Sequence, residues 1–183
     1  LLSLKPLGPL VSEILIYVNR ASLKKSKAFL LSLRTDRRVR FVKGPEELAP
    51  GHARNKMALA AKTENLLFLD DDNLVDSEAL KRLLQCGVND WDVLCSPLKR
   101  FDTEHLQMQE GSSAQQIQFR LENITFAHWL PVGDDIALNV LENKIGDCNF
   151  LAKRTHLLKV GGFNESLFYG EDQEFLVRSV YKG

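Results

Sequence analysis

Short apolar runs alternate with helix-like segments along the first half of the chain, and this alternation limits the possible folds more than any other feature. The runs that predict strands cover residues 13–18, 39–42, 65–69 and 93–95. The segments that predict helices cover residues 22–33, 52–62 and 77–85, the last with Ser77 as its expected cap. This order is typical of an α/β layer with a largely parallel sheet. Such sheets bind ligands beyond the carboxyl ends of their strands.

The second half of the sequence is less regular. The pattern loosens between residues 96 and 135, where the polar–apolar alternation of residues 115–121 indicates an exposed strand. A strand is then expected at residues 149–152, a helix at 155–160 that Gly161 and Gly162 end, and a last helix at 171–182. The length of 183 residues suits one domain with its own core.

The charge of the chain argues against a nucleic-acid partner. Basic and acidic residues number 24 each, so the formal net charge is zero, whereas nucleic-acid-binding proteins carry a basic excess on some face. The densest basic stretch, residues 34–43, is best interpreted as a solvated turn before a strand, although a peripheral contact with an anionic membrane stays open. No apolar run reaches the roughly 18 residues of a membrane span, so no transmembrane segment is expected.

Cysteine usage predicts the compartment. Cys86, Cys95 and Cys148 have no metal-ligand spacing and are odd in number, and no secretory apolar region opens the sequence. A reducing, cytoplasmic setting fits these features best. The opening Leu1-Leu2-Ser3-Leu4 resembles the inside of a helix, so the sequence is expected to be an excerpt of a longer chain.

Three carboxylates, Asp70, Asp71 and Asp72, directly follow the apolar run at residues 65–69. Adjacent carboxylates repel one another unless a cation or strong donors lie between them. Alternate side chains of an extended segment face the same side, so Asp70 and Asp72 are expected to point together. Hard oxygen ligands suit Mg²⁺ or Mn²⁺, and such an ion can neutralise a departing diphosphate. The simpler interpretation is an acidic loop that caps the next helix.

Two classes of enzyme place such an acidic pair after a strand. One is the haloacid-dehalogenase-like phosphatases, with Asp70 and Asp72 as the Asp-x-Asp pair. Ser96 and the turn at residues 133–135 resemble the later motifs of that superfamily. However, Asn73-Leu74 stands where a pair such as Gly-Thr is expected, and the second acid of the late motif is missing.

The other class is the family-2-like glycosyltransferases of the GT-A fold, which the chain resembles in four ordered blocks. These are the strand at residues 13–18, residues 51–55 (GHARN, similar to G-x-x-x-A-R-N), residues 68–73 (FLDDDN, similar to the DxD block), and residues 149–154 (NFLAKR) followed by 160–165 (VGGFNE) and 168–172 (FYGED). The last stretch is similar to the family's G-G-F-[DN]-E and G-E-D. A lone DxD is weak support, but the four blocks in this order are specific. The resemblance covers residues 13–183 and is weakest between residues 97 and 146.

This resemblance implies a single GT-A-like catalytic domain over residues 1–183. Its α/β architecture would have a mostly parallel, Rossmann-like sheet flanked by helices and a smaller antiparallel portion on the acceptor side. Residues 1–95 would bind the nucleotide sugar, and residues 96–183 would bind the acceptor. The acceptor would be a saccharide, a lipid-linked or another hydroxyl compound.

The resemblance also implies a donor site that holds Mn²⁺ or Mg²⁺ and a UDP-sugar or related nucleotide sugar. The implied metal ligands are Asp72 directly and Asp70 through water, with the ribose as the alternative contact of Asp70. The implied nucleotide-sugar-binding residues are Asn19, Gly51, Arg54, Asp70 and Asp71. Arg54 is expected in the first turn of its helix, where free N–H groups favour an anion, unless its stem simply packs on the helix surface. Family-2 enzymes usually place an acid, rather than Asn19, at the base pocket.

On the acceptor side, the resemblance implies Asp172 as the general base and Glu171 as an acceptor-hydroxyl or orienting contact. The simpler interpretation is that both acids complement a helix dipole. Trp129 and Gly162 are the implied acceptor contacts, with core packing as the commoner fate of Trp. The implied reaction is an in-line displacement with inversion of configuration. A degenerate GT-A domain that binds without catalysis remains the non-enzymatic alternative.

Overall fold

A computed structural model describes residues 8, 10–19, 27–45, 48–70, 73–85, 91–95, 98–100, 127–129 and 149–182. Its strands are β1 (Ile14–Val18), β2 (Val39–Lys43), β3 (Asn65–Leu67), β4 (Val93–Cys95), β5 (Leu98–Arg100), β6 (Ala127–Trp129) and β7 (Phe150–Lys153). Its helices are α1 (Lys27–Leu33), α2 (Pro50–Ala60), α3 (Ser77–Gln85), α4 (Arg154–Lys159) and α5 (Glu171–Lys182). The element types that the sequence predicts in these ranges are confirmed. The strand expected at residues 115–121 lies outside the described residues.

The strands β1 and β2 form a parallel pair. Their register places Ile14 opposite Val39 and Val18 opposite Lys43. A parallel pair needs a crossover connection, and α1 lies in the segment between the two strands. Arg40 of β2 then joins the pair to the end of α2, because it forms an ion pair with Glu13 and donates to the Ala60 carbonyl at 3.1 Å.

A second sheet has β7 at its centre, hydrogen-bonded to β3 on one side and to β4 on the other. Both pairings are antiparallel, and Leu151 lies opposite both Leu67 and Leu94. The strands β3 and β4 therefore run in the same direction, with a strand from late in the chain between them. The short pair β5 and β6 is also antiparallel. The described strands thus combine a parallel pair with antiparallel pairs, and the α/β class is confirmed.

Four phenylalanines form the centre of the larger core. Phe150 and Phe175 stack with ring centroids 5.5 Å apart, Phe163 and Phe175 stack at 4.7 Å, and Phe68 meets Phe163 edge to face at 5.1 Å. All four are at most 7 % exposed. Each ring comes from a different segment: the end of β3, β7, the turn after α4, and α5. The cluster therefore fixes these four segments relative to one another.

One end of each of two helices, the start of α3 and the end of α4, can be compared with the sequence-based prediction. Asp76, rather than the expected Ser77, caps α3, since its Oδ1 accepts the backbone N–H groups of Glu78 and Ala79 at 3.0 Å each. The helix α4 ends in the Gly161-Gly162 pair, as predicted. Gly161 (φ +95°) and Gly162 (φ +70°) adopt left-handed conformations and donate back to the carbonyls of α4's last turn.

None of the described helices is long and apolar enough to cross a membrane.

Candidate active site

The acidic run begins where β3 ends. The pairing of β3 with β7 continues one residue beyond the strand, as the Phe68 N–H donates to the Phe150 carbonyl at 3.0 Å. Asp70 follows, with a side chain that is 38 % exposed and accessible to a ligand. Asp71 and Asp72 lie outside the described residues. Within the described ranges, no three acidic, histidine or cysteine side chains form a cluster that could hold a metal.

Arg54 of α2 joins two carboxylates that are far apart in the sequence. Its Nη2 donates to Asp70 Oδ1 at 2.9 Å, and its Nη1 forms an ion pair with Glu171 Oε1. The guanidinium also lies over the Phe163 ring, 5.6 Å from the centroid, and the side chain is only 12 % exposed. The helix begins at Pro50, a residue suited to the first helical position. Arg54 therefore lies beyond the first turn, contrary to the sequence-based expectation.

The first turn of α5 carries Glu171 and Asp172. Glu171 is only 5 % exposed because it lies one turn before Phe175 on the face that packs into the core. Asp172 is partly buried, and its Oδ1 accepts the N–H of Gln173 at 2.9 Å. Gly170 (φ +71°) precedes the helix, and its carbonyl accepts the Glu174 N–H at 2.9 Å. Glu171 therefore points into the core, whereas Asp172 is partly exposed.

Asn55, the neighbour of Arg54 on α2, holds the turn that precedes α5. Its Oδ1 accepts the Phe163 N–H at 2.8 Å, and its Nδ2 donates to the Phe163 carbonyl at 2.9 Å. One side chain therefore satisfies both backbone groups of a residue that is 2 % exposed. The same Nδ2 donates to Glu165 Oε1 at 2.9 Å. The Arg54-Asn55 pair thus connects α2 to the 163–171 segment at two points.

His52 and Glu165 extend this contact between α2 and the turn. His52 Nδ1 lies 2.7 Å from Glu165 Oε2. The hydrogen bond from Asn55 and then that from His52 hold the pKa of Glu165 below its usual value, because both favour the charged carboxylate. The sequence does not predict these two contacts with Glu165. These bonds join residues more than 100 positions apart, so no local sequence pattern predicts them. Their indication in the sequence is that the bonded residues belong to two of the motif blocks, residues 51–55 and 160–165.

Gly51 and Gly162 lie on this interface. A Cβ at Gly51 would lie 3.0 Å from the Asn164 carbonyl oxygen and from Phe163 Cβ, so a glycine allows α2 to approach the turn. A Cβ at Gly162 would lie 2.6 Å from Asn55 Oδ1. Close packing therefore accounts for both glycines, and the predicted nucleotide and acceptor contacts stay predictions.

Gly162→Ala is expected to destabilise the protein by about 2–4 kcal/mol, since it adds the cost of a left-handed alanine to a clash with the Asn55 amide. The melting temperature should fall by roughly 5–15 °C in thermal denaturation. Gly170→Ala is the matched control, because its φ of +71° is nearly the same but nothing lies within 4 Å of the added Cβ. It should cost only about 1 kcal/mol. Equal losses for the two variants would contradict the packing role of Gly162.

The site predicted from the sequence is thus partly assembled in the described residues. Arg54, Asp70 and Glu171 lie in direct contact, and Asp172 is next to Glu171. Asn19 follows the carboxyl end of β1. Trp129 lies in β6, but its side chain is outside the described part of the structure. The phosphatase motifs at Ser96 and residues 133–135 are outside it as well.

Comparison with known proteins identifies one family. A family model described as "Glycosyl transferase family 2" matches residues 5–149, which is well over half of the chain. No curated protein matches the chain. The matched range includes Arg54 and the acidic run, and it ends before Gly162 and Glu171. The match supports a glycosyltransferase-like function and favours it over the phosphatase alternative.

Proposed function

Because the chain belongs to glycosyl transferase family 2, we propose that it transfers a sugar from a nucleoside-diphosphate sugar to an acceptor hydroxyl with inversion at the anomeric carbon. The observation that carries this proposal is the Arg54 bridge between Asp70 and Glu171. One guanidinium joins the acidic end of β3 to the turn that carries Asp172. Donor and acceptor must lie close together for a direct displacement, and this contact brings their candidate binding segments together.

In the proposed reaction, Asp172 accepts the proton of the acceptor hydroxyl as general base. The hydroxyl oxygen forms a bond to the anomeric carbon, while the bond between that carbon and the phosphate oxygen breaks. The nucleoside diphosphate leaves with the electron pair. A single displacement inverts the configuration, so no covalent sugar–enzyme intermediate is required.

We propose that Asp70 and Asp72 hold Mn²⁺ or Mg²⁺. Asp70 supplies a hard carboxylate oxygen on a partly exposed side chain, which fits either ion. When bound, the ion neutralises charge on the departing diphosphate. Arg54 adds a fixed positive charge beside Asp70.

The proposed donor is a UDP-sugar, whose base would lie near Asn19 at the carboxyl end of β1, where α/β sheets bind their ligands. The proposed acceptor is a saccharide or a lipid-linked or other hydroxyl compound. In this proposal, residues 1–95 bind the donor and residues 96–183 bind the acceptor.

Thermal denaturation with Mn²⁺ and nucleotides tests the donor site directly. UDP with Mn²⁺ at about 100 times its Kd should stabilise the folded state by about 2.7 kcal/mol, because it binds only that state. For a chain of this length the melting temperature should rise by roughly 5–10 °C. GDP, TDP and CDP should give smaller rises. Asp70→Asn should remove most of the UDP effect, while Asp36→Asn, on a carboxylate paired with Arg38 away from the site, should retain it.

The other outcomes distinguish the alternatives. The absence of any rise with all four nucleotides would contradict the donor site. A rise without transfer to any tested acceptor would favour a domain that binds without catalysis. Hydrolysis of p-nitrophenyl phosphate that Asp70→Asn abolishes would favour the phosphatase.

A further inference from the structure

We propose that Arg54 is a positioning residue that fixes Glu171, and with it the turn that carries Asp172, against the Asp70 end of β3. The proposal rests on the proposed function, in which Asp70 belongs to the donor side and Asp172 is the base. Arg54 then aligns the two halves of the site. Glu171 takes part in the same alignment instead of contacting the acceptor.

The burial of Glu171 is the first support. Its side chain is only 7 % exposed, and its carboxylate forms an ion pair with a guanidinium that is 12 % exposed. A buried carboxylate that loses its cationic partner is strongly destabilised. The conformation of the first turn of α5 is therefore tied to Arg54. A side chain with so little exposure also has little surface to offer an acceptor.

The geometry of Arg54 is the second support. Its two terminal nitrogens bind carboxylates on different segments, Asp70 after β3 and Glu171 at the start of α5. The Phe163 ring lies against the guanidinium and limits its movement. The guanidinium reaches the two carboxylates from two separate nitrogens, whereas the ammonium of a lysine donates from one nitrogen and cannot occupy both positions. The phenylalanine cluster packs these segments together, and Arg54 adds the contact that holds the Asp70 and Glu171 carboxylates beside each other.

The anchoring of α2 is the third support. Asn55 hydrogen-bonds both backbone groups of Phe163, so the helix that carries Arg54 is held to the segment that leads into α5. Arg178 holds α5 to the same turn, because it donates to the Val160 and Gly162 carbonyls at 2.5 and 2.6 Å. Arg54 thus forms the side-chain hydrogen bond that joins this frame to the Asp70 carboxylate.

The test compares Arg54→Lys and Glu171→Gln with Arg40→Lys. Arg40 makes a comparable pair of contacts, an ion pair with Glu13 and a hydrogen bond to the Ala60 carbonyl at the end of α2. It lies on β2 and contacts neither Asp70 nor Glu171 through these bonds. We expect Arg54→Lys and Glu171→Gln each to lower kcat about 10- to 100-fold, with the KM for the acceptor changed less than about threefold, because alignment rather than acceptor binding is lost. The double variant should be about as slow as either single variant. Arg40→Lys should leave kcat within about twofold.

Hydrogen exchange supplies a readout that does not depend on activity. The Glu174 amide, bonded to the Gly170 carbonyl, reports the closure of the first turn of α5. In Arg54→Lys it should exchange at least about tenfold faster, with the amides of β1 and β2 unchanged. Equal acceleration throughout the chain would show a merely structural role and overturn the proposal, as would an unchanged Glu174 amide. If the wild type transfers no sugar, the proposed function fails and this exchange comparison alone decides the positioning role.

Discussion

Asp172→Asn is expected to lower the rate of sugar transfer by about 10²- to 10⁴-fold, because the amide cannot accept the proton of the acceptor hydroxyl. The melting-temperature rise with Mn²⁺ and UDP should stay within about 1 °C of the wild-type rise, since the substitution leaves the donor side intact. Single-turnover transfer assays and thermal denaturation measure the two quantities on the same preparations.

The change is nearly isosteric, so its effect on folding should be small. An acid in the first turn of a helix contributes about 0.3–1 kcal/mol through the helix dipole, and the amide loses this contribution. Asp76→Asn is the matched control, since it removes an acid at the start of α3 and asparagine is an equally good cap. It should leave transfer and nucleotide binding unchanged.

A rate for Asp172→Asn within threefold of the wild-type rate would contradict the role of Asp172 as base. Asp172 would then serve only the helix dipole, which is the simpler interpretation of an acid at that position. A loss of both transfer and nucleotide binding would instead indicate a folding defect, and a lowered melting temperature without ligand would reveal it.

Local sequence patterns predicted most of the described elements, but not the short strands β5 and β6. The compact apolar run that ends at Val18 gave β1, and the Gly161-Gly162 pair marked the end of α4, because each depends on neighbours in the sequence. Helix starts were less well predicted, as with Ser77, since Asp76 before it offers an equally suitable oxygen. The order of strands was not predictable from pattern. Nothing in the local sequence of β7 specifies its position between β3 and β4.

In the candidate site, too, local features were predictable from the sequence and contacts between distant segments were not. The motif blocks identified Arg54 and the acids, because spacing within each block is local. The contacts between blocks were not predictable: Arg54 and Glu171 are 117 positions apart, and Asn55 and Phe163 are 108 apart. The expectation that Arg54 lies in the first turn of its helix rested on a helix start near His52, and the helix begins two residues earlier, at Pro50.

Asn55→Asp is expected to destabilise the folded state by about 3 kcal/mol and to lower the melting temperature by roughly 6–12 °C. The wild-type amide donates to the Phe163 carbonyl and to Glu165 and accepts from the Phe163 N–H. A carboxylate keeps only the last of these bonds. It also faces one carbonyl oxygen and one carboxylate without a hydrogen to share. Thermal denaturation at neutral pH measures the loss.

Asn164→Asp is the matched control from the same turn. Asn164 Oδ1 accepts from the backbone N–H and the hydroxyl of Ser166, at 3.0 and 2.7 Å. An aspartate preserves both bonds, so the melting temperature should change by no more than about 2 °C. Similar losses for the two variants would contradict the role of the Asn55 amide as a donor.

The pH dependence of Asn55→Asp provides a second, independent check. Hydrogen bonds from Asn55 and His52 lower the pKa of Glu165 in the wild type, so the stability that Glu165 contributes is present above its unfolded pKa and is lost as pH falls through the lowered value. In the variant the repulsion between the two carboxylates disappears once they are protonated. The stability difference between wild type and variant should therefore be largest at neutral pH and shrink below about pH 4. A difference that stays constant from pH 7 to pH 3 would show that repulsion with Glu165 is not part of the cost.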